Sequence, residues 1–344
     1  LYSLGAKFIQ EQGESGMKNI ILGFLLLAVV GIGGAIIYLY TGYPEVGPPP
    51  EITIEGTEAQ VKRGEYLAEH VAVCIDCHST RDWTKFSGPI EPGTYGRGGD
   101  VFNEDMGMPG TFYAKNITPH NLNDWSDGEI YRTITTGVTK DGRPMFPVMP
   151  YPAYGKMDPD DVRAIIAYIR TLEPIDYKPP DSEANFPMNL ILRTMPQPAD
   201  PMERPSPEDS VDYGKYLTTI AGCAECHTPQ NQGTDIEGMY LAGGFEFKGP
   251  FGTVRSSNIT PHKQTGIGNL SKEKFVSRFK QYDVSIDSLA DVKEGQFNTV
   301  MPWQMYAGMT EQDLEAIYTY LKTVDPVENS VTRFTPPSEQ VVAN

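Results

Sequence analysis

The chain has 344 residues, 39% hydrophobic and 21% charged, with 29 prolines and 34 glycines. This is enough for two domains of ordinary size joined by many loops. A formal charge of −17 argues against a nucleic-acid partner, opposes binding to anionic head groups and favours basic protein surfaces.

In chain order, the first element is the uncharged run Ile20–Tyr40. At about 1.5 Å per residue it reaches roughly 31 Å, the thickness of a bilayer core. The run is longer than the apolar part of a cleaved signal peptide, and no A-x-A-like site follows it, so it reads as an uncleaved anchor in contact with the lipid bilayer. Lys7 and Lys18 precede it, whereas residues 41–61 contain no Lys or Arg. The positive-inside rule then puts the N-terminus in the cytoplasm and everything after Tyr40 across the inner membrane. The expected layout is an extension at 1–16, an anchor at 17–41 and a proline-rich linker at 42–58.

Next come the cysteines. All four fall in two copies of one pattern, "CIDCH" (Cys74, Cys77, His78) and "CAECH" (Cys223, Cys226, His227). C-x-x-C-H is the attachment signature of c-type haem. Two thiols add across the two vinyl groups of one porphyrin, and the adjacent histidine faces the iron. A single Cys₄ zinc site is disfavoured because the pairs are far apart in sequence compared with ordinary zinc ribbons. A thioredoxin-like motif lacks its βαβ setting, and two-residue disulfide loops are strained. The histidine after each pair decides for two covalently bound c-type haems.

Around the motifs, one unit is written twice. "RGEYLAEHVAVC" and "YGKYLTTIAGC" precede them, matching Gly64 to Gly214 and Tyr66 to Tyr216. "NITPH" recurs at Asn116–His120 and Asn258–His262. Helices opened by Ser126 and Ser271 follow, Glu129 completing a capping box in the first. The closest match aligns "MPYPAYGKMDPDDVRAIIAYIRTL" with "MPWQMYAGMTEQDLEAIYTYLKTV" without a gap. Asp158-Pro159 and Thr310-Glu311 open these last helices. The order helix, CxxCH, long loop, helix, Met-Pro loop, helix is the cytochrome c architecture. The fold class expected is all-α, with two tandem cytochrome c domains behind a single N-terminal transmembrane helix. Domain 1 is placed at 59–177, an interdomain linker at 178–207, domain 2 at 208–326 and a tail at 327–344. The linker leaves the relative orientation of the domains open.

The far side of each iron has two repeated candidates. Met145 aligns with Phe297 and Met305 with Ala153, so neither recurs. Met157 and Met309 stand just before an N-cap, where packing on the helix suffices as a role. Met149 and Met301 each precede a proline in a loop, where a side chain can be aimed. The rival pair is His120 and His262, repeated in register. The sequence favours His78/Met149 and His227/Met301 as the axial pairs, with bis-histidine ligation kept as the alternative.

The stretch "NITPH…WSDGEIYRTITTG…DGRPMFPVMPYPAYGKMDPDDVRAIIAYIRTL" resembles the cytochrome c subunits of bacterial membrane-bound alcohol, gluconate and sugar dehydrogenases. The resemblance implies the same fold, an axial role for Met149 and, through "VMPW", for Met301, and a role as an electron-transfer subunit rather than an enzyme. Members of that family typically carry three haems and lack a strong N-terminal anchor, whereas this chain has two motifs and the run Ile20–Tyr40. The function expected is a membrane-anchored dihaem electron carrier on the periplasmic side of the bacterial inner membrane. Its expected partners are a membrane respiratory complex or dehydrogenase subunits, and a terminal oxidase or other cytochrome. A dihaem peroxidase is the enzymatic alternative; it would need a free site at one iron, and both repeats keep a Met-Pro.

Overall fold

A computed structural model of the chain describes residues 2–249 and 251–337, with side chains from Met17 onward. Helix α1, Tyr2–Gly42, takes in both the apolar run and the residues expected to form a separate extension. Its stretch Met17–Gly42 is long and apolar enough to cross a membrane, and its most apolar window is left unburied by the described residues.

Two repeats follow. In the first, α2 (Glu58–Tyr66) opens on a Thr57–Gln60 capping box and passes through a π turn, Leu67–Val71, to the turn Cys74–Cys77. Helix α3 (Asp127–Thr136) opens on the expected Ser126–Glu129 box, and α4 (Pro159–Ile169) on Asp158 with Pro159 in the first turn. The second repeat runs α5 (Ser210–Ile220), the turn Cys223–His227, α6 (Lys272–Lys280) capped by Ser271, and α7 (Glu311–Leu321) capped by Thr310. In these caps a side-chain oxygen accepts one of the N–H groups that the first helical turn cannot satisfy itself.

The all-α expectation accounts for the helices but omits three small antiparallel sheets. The first is ordered β1 (Val101–Phe102), β2 (Gly110–Tyr113), β3 (Glu183–Ala184). The second pairs β4 (Gln230–Asn231) with β5 (Thr234–Asp235). The third is ordered β6 (Glu246–Gly249), β7 (Gly252–Arg255), β8 (Phe334–Thr335). The long loops after each attachment turn carry backbone donors and acceptors that need partners, and short hairpins supply them. β3 comes from the expected interdomain linker and β8 from the expected tail, so each of these segments closes a sheet. The tail residues 338–344 lie outside the described residues.

In each repeat the first helix crosses the last at a glycine. A Cβ on Gly64 would lie 1.8 Å from the Ala164 carbonyl oxygen, and one on Gly214 would lie 2.0 Å from that of Ala316. No side chain fits at either crossing, which explains why the repeat conserves these two positions between its copies.

The repeats pack against each other through one continuous apolar cluster that includes Leu67, Ile75, Tyr154, Tyr216, Tyr306 and Leu314. Their polar contacts are reciprocal. Tyr66 donates to Asp313 Oδ2 of the second repeat at 2.5 Å, and Tyr216 donates to Asp161 Oδ2 of the first at 2.6 Å. Each tyrosine hydroxyl also accepts the backbone N–H of the opposing N-cap, Thr310 and Asp158 respectively. Among the described residues, the Asp161 side alone adds ion pairs to this contact. Arg63 grips its carboxylate with two bonds of 3.0 and 2.8 Å, and Arg204 adds a third of 2.5 Å. The orientation that the sequence left open is thus set by helix N-termini exchanged between repeats.

Candidate haem sites

Each attachment turn follows a left-handed residue, Val73 (φ 45°) or Gly222 (φ 64°), which reverses the chain at the end of the preceding helix. No disulfide joins the four cysteines, so the sulfurs of each pair are available to a haem. Burial pushes the thiols of Cys74 and Cys223 up to about 12. Burial also pulls the imidazoles of His78 and His227 below their usual pKa, partly opposed by a backbone hydrogen bond at each ring.

That bond fixes the chemistry of the rings. His78 Nδ1 donates to the Lys115 carbonyl at 2.6 Å, and His227 Nδ1 donates to the Ser257 carbonyl at 2.7 Å. The proton is therefore held on Nδ1, and Nε2 keeps its lone pair for a metal. In both repeats the accepting carbonyl belongs to the residue just before the "NITP" motif.

The structure supplies a role for that motif. Asn116 Oδ1 accepts from the Thr118 N–H and hydroxyl, while its amide donates to the carbonyls of Ile175 and Tyr177. Asn258 repeats this with Thr260 and the Val327 carbonyl. Each asparagine thus ties the loop beside the histidine to the segment leaving the last helix. Gly98 and Gly243 complete the arrangement, their N–H groups donating to the His78 and His227 carbonyls at 2.8 and 2.7 Å. Both have φ near +75°, and a Cβ on Gly98 would lie 2.5 Å from the Ala114 carbonyl oxygen. The repeat revealed the asparagine positions as residue identities but did not mark Gly98 and Gly243, and nothing in the sequence showed that any of these residues acts on the histidine.

Met149 and Met301, the methionines expected on the far side of the irons, are partly buried against the core, each in a tight turn closed by Tyr151 N–H to the Met149 carbonyl (2.7 Å) and Trp303 N–H to the Met301 carbonyl (2.8 Å). Met157 and Met309 are each 1% exposed and belong to the core, as packing roles require. His120 is exposed, its ring 3.2 Å from Asp176, and His262 Nδ1 lies 2.8 Å from the Thr265 hydroxyl in its own loop. His70, which has no repeat partner, sits between the repeats with Nδ1 2.9 Å from the Met305 carbonyl.

One feature breaks the symmetry. Ser87 of the first repeat, buried and in a left-handed conformation (φ 67°), donates to the Met301 carbonyl at 2.6 Å and accepts from the Trp303 N–H at 3.1 Å. Asn298 locks the same loop, accepting from Ser87 N–H and donating to the carbonyls of Trp83 and Lys85. Phe86 stacks on Tyr282 beside it, with ring centroids 5.6 Å apart. The Met301 turn is therefore held by the opposite repeat. Ser87→Ala removes both bonds that tie the Met301 turn to the first repeat and leaves the turn its own Trp303 N–H to Met301 carbonyl bond, with an expected cost of about 1–2 kcal/mol. Chemical denaturation of the haem-loaded protein checks this.

The two attachment turns also bear on common tyrosines. Burial pushes the Tyr306 hydroxyl far above its usual pKa, and it does the same to Tyr154. Each tyrosine donates to a backbone carbonyl at 2.7 Å, Tyr306 to Ala221 and Tyr154 to Ala72.

Paired thiols, an imidazole with its proton held on Nδ1 and a half-buried thioether are a donor set that would suit a covalently attached haem. Residues 211–325 match the family Cytochrome c. That region is thus similar to the c-type cytochromes, a class of electron-transfer proteins that bind haem covalently.

Among known proteins, the chain is 26% identical over 299 residues to the "Alcohol dehydrogenase (quinone), cytochrome c subunit" of Gluconacetobacter polyoxogenes, which covers 82% of this chain and 60% of that protein. It is 27% identical over 306 residues to the "Gluconate 2-dehydrogenase cytochrome c subunit" of Pantoea cypripedii, covering 82% and 63%. It is 29% identical over 324 residues to a "Diheme cytochrome c-type" of Cereibacter sphaeroides, covering 90% of this chain and 99% of that protein. The chain therefore spans about 60% of the dehydrogenase subunits and almost all of the dihaem cytochrome. The resemblance to dehydrogenase cytochrome subunits read from the sequence is found in these relatives.

Proposed function

We propose that the chain is a membrane-anchored dihaem cytochrome c. In this reading it passes single electrons between a membrane respiratory complex or dehydrogenase and a downstream acceptor such as a terminal oxidase. Helix α1 serves as a single-pass anchor in a bacterial inner membrane, and the two repeats are haem domains on the periplasmic side. Cys74 and Cys77 hold one haem, with His78 and Met149 as axial ligands. Cys223 and Cys226 hold the other, with His227 and Met301. Each haem supplies a one-electron iron couple; the protein makes and breaks no substrate bonds.

The observation that carries this reading is the duplicated proximal geometry. In both repeats the histidine Nδ1 donates to a carbonyl fixed by the same asparagine motif. Support for the anchor is the uncovered apolar stretch Met17–Gly42. The continuous core and reciprocal Tyr–Asp contacts favour two haems held at a fixed separation over two independently moving carriers. Relatives named as dehydrogenase cytochrome subunits make a dehydrogenase the first donor to test.

The test is haem stoichiometry in the purified protein. Alkaline pyridine spectra against peptide absorbance are expected to give two haems per chain, falling to one in Cys74→Ala/Cys77→Ala and in Cys223→Ala/Cys226→Ala. A single haem in the parent chain would remove the dihaem reading. Reduction of both haems by a quinol-linked membrane preparation checks electron transfer directly.

A further inference from the structure

The segment expected to be a plain linker holds a feature that the carrier role does not use. In a chain of net charge −17, residues 184–199 contain no Asp or Glu, and Arg193 is their only cation. Within them, "FPMNLIL" (186–192) is apolar apart from one asparagine. It forms a short helix, Met188–Ile191, and a 3-10 turn, Leu192–Thr194. Leu192 packs inward, but Phe186 is 79% exposed and Ile191 47% exposed. In water, two large apolar side chains on one short segment are costly, at about 25 cal/mol per Å² of uncovered apolar surface.

The placement of the segment says what covers them. Arg193 donates to the carbonyls of Leu39 (3.0 Å), Tyr40 (3.2 Å) and Tyr43 (2.5 Å), and its guanidinium lies 4.6 Å from the Tyr40 ring centre. The first two are among the carbonyls that the C-terminus of α1 cannot satisfy within the helix, and Tyr43 lies just past its end. The segment is thus fastened to the point where the apolar helix ends, beside the exposed rings of Tyr38 and Tyr40. Aromatic side chains at the ends of a spanning helix lie at head-group depth. On its other side the segment is continuous with β3, which pairs with β2, and Asn185 donates to the Pro109 carbonyl and to Glu104.

We infer that residues 186–191 are a second membrane contact. Phe186 and Ile191 enter the head-group layer of a phospholipid bilayer, and Arg193 joins this surface turn to the spanning helix. The stretch itself adds no carboxylate to the repulsion from anionic lipid, with Glu104 and Glu183 held at its β3 end. The effect is to seat the haem repeats against the membrane at a fixed height rather than leave them on a tether. This inference rests on α1 being a membrane anchor.

The test uses the full haem-loaded chain in phosphatidylcholine vesicles whose acyl chains carry a photoactivatable diazirine, with adducts mapped by peptide mass spectrometry. Adducts are expected in α1 and in residues 186–191, the latter several-fold above the exposed apolar residues Val284 and Ile286. Phe186→Glu/Ile191→Glu is expected to abolish labelling of the segment and leave that of α1 intact. Labelling of α1 without 186–191 overturns the surface contact and leaves the anchor standing, the segment then being covered by protein. Absence of labelling at both sites overturns the anchor reading together with this one.

Discussion

Met149→Ala and Met301→Ala are each expected to remove about half of the long-wavelength iron–sulfur absorption of the oxidised protein, and the double variant all of it. Loss of a thioether ligand also lowers the potential of the affected haem. Axial ligation spans about 0.8 V across haem proteins, so a fall on the order of 0.1 V or more is expected in each single variant. Both haems should stay attached, since the thioether bonds to Cys74, Cys77, Cys223 and Cys226 are untouched in this reading. The control is Met157→Leu, a conservative change at a core methionine that is 1% exposed, which should leave the band unchanged. If both alanine variants keep the full band, the methionine assignment is wrong and His120 and His262 become the next ligands to test. Their surroundings argue against that outcome, because His120 lies beside Asp176 at the surface and His262 is engaged with Thr265.

The second large effect lies at Asp161. This carboxylate is fully buried, receives Arg63, Arg204 and Tyr216, and lies where the repeats meet. Asp161→Asn keeps the shape but leaves two guanidinium groups without their countercharge. Breaking a buried pair costs about 3–5 kcal/mol. Arg63 and Arg204 both reach solvent, so about 2–4 kcal/mol is expected here after discounting for screening. Burial pulls the Asp161 pKa up, but the hydrogen bond and charge of Arg63, with Tyr216 and Arg204, outweigh it and hold the group below the usual carboxylate value. A group depressed on folding contributes stability above its unfolded pKa, near ~3.9, and loses it as pH falls through the folded value. The parent chain should therefore lose more stability than Asp161→Asn between about pH 5 and pH 3. Denaturation midpoints across that range check both the size and the sign. Equal pH dependence in the two proteins would show that Asp161 is not the titrating group.

Much of this was legible because it is local or repeated. Ser126, Ser271, Asp158 and Thr310 cap the helices that the sequence assigned to them, since a capping side chain needs only the N–H groups two or three residues ahead. The same holds for the attachment turns, whose C-x-x-C-H spacing is itself the chemistry. The sheets escaped notice because β3 and β8 are two residues long, too short for any alternating pattern to register.

By itself, then, the sequence determined the helices, the two attachment turns, the apolar helix at the start and the filter that singled out Met149 and Met301. Each of these rests on residues close in the chain or on a copy of itself. Tertiary structure decided how the two copies face each other. Tyr66 finds Asp313 across 247 positions and Ser87 finds Met301 across 214. A lone hydroxyl carries no periodicity to announce such a partner. It acts only where packing removes water and leaves a buried donor with one acceptor in reach. For the same reason the proline-rich stretch after α4 reads as a spacer in the sequence, whereas in the fold Arg193 fastens it to the carbonyls at the end of α1 and just beyond.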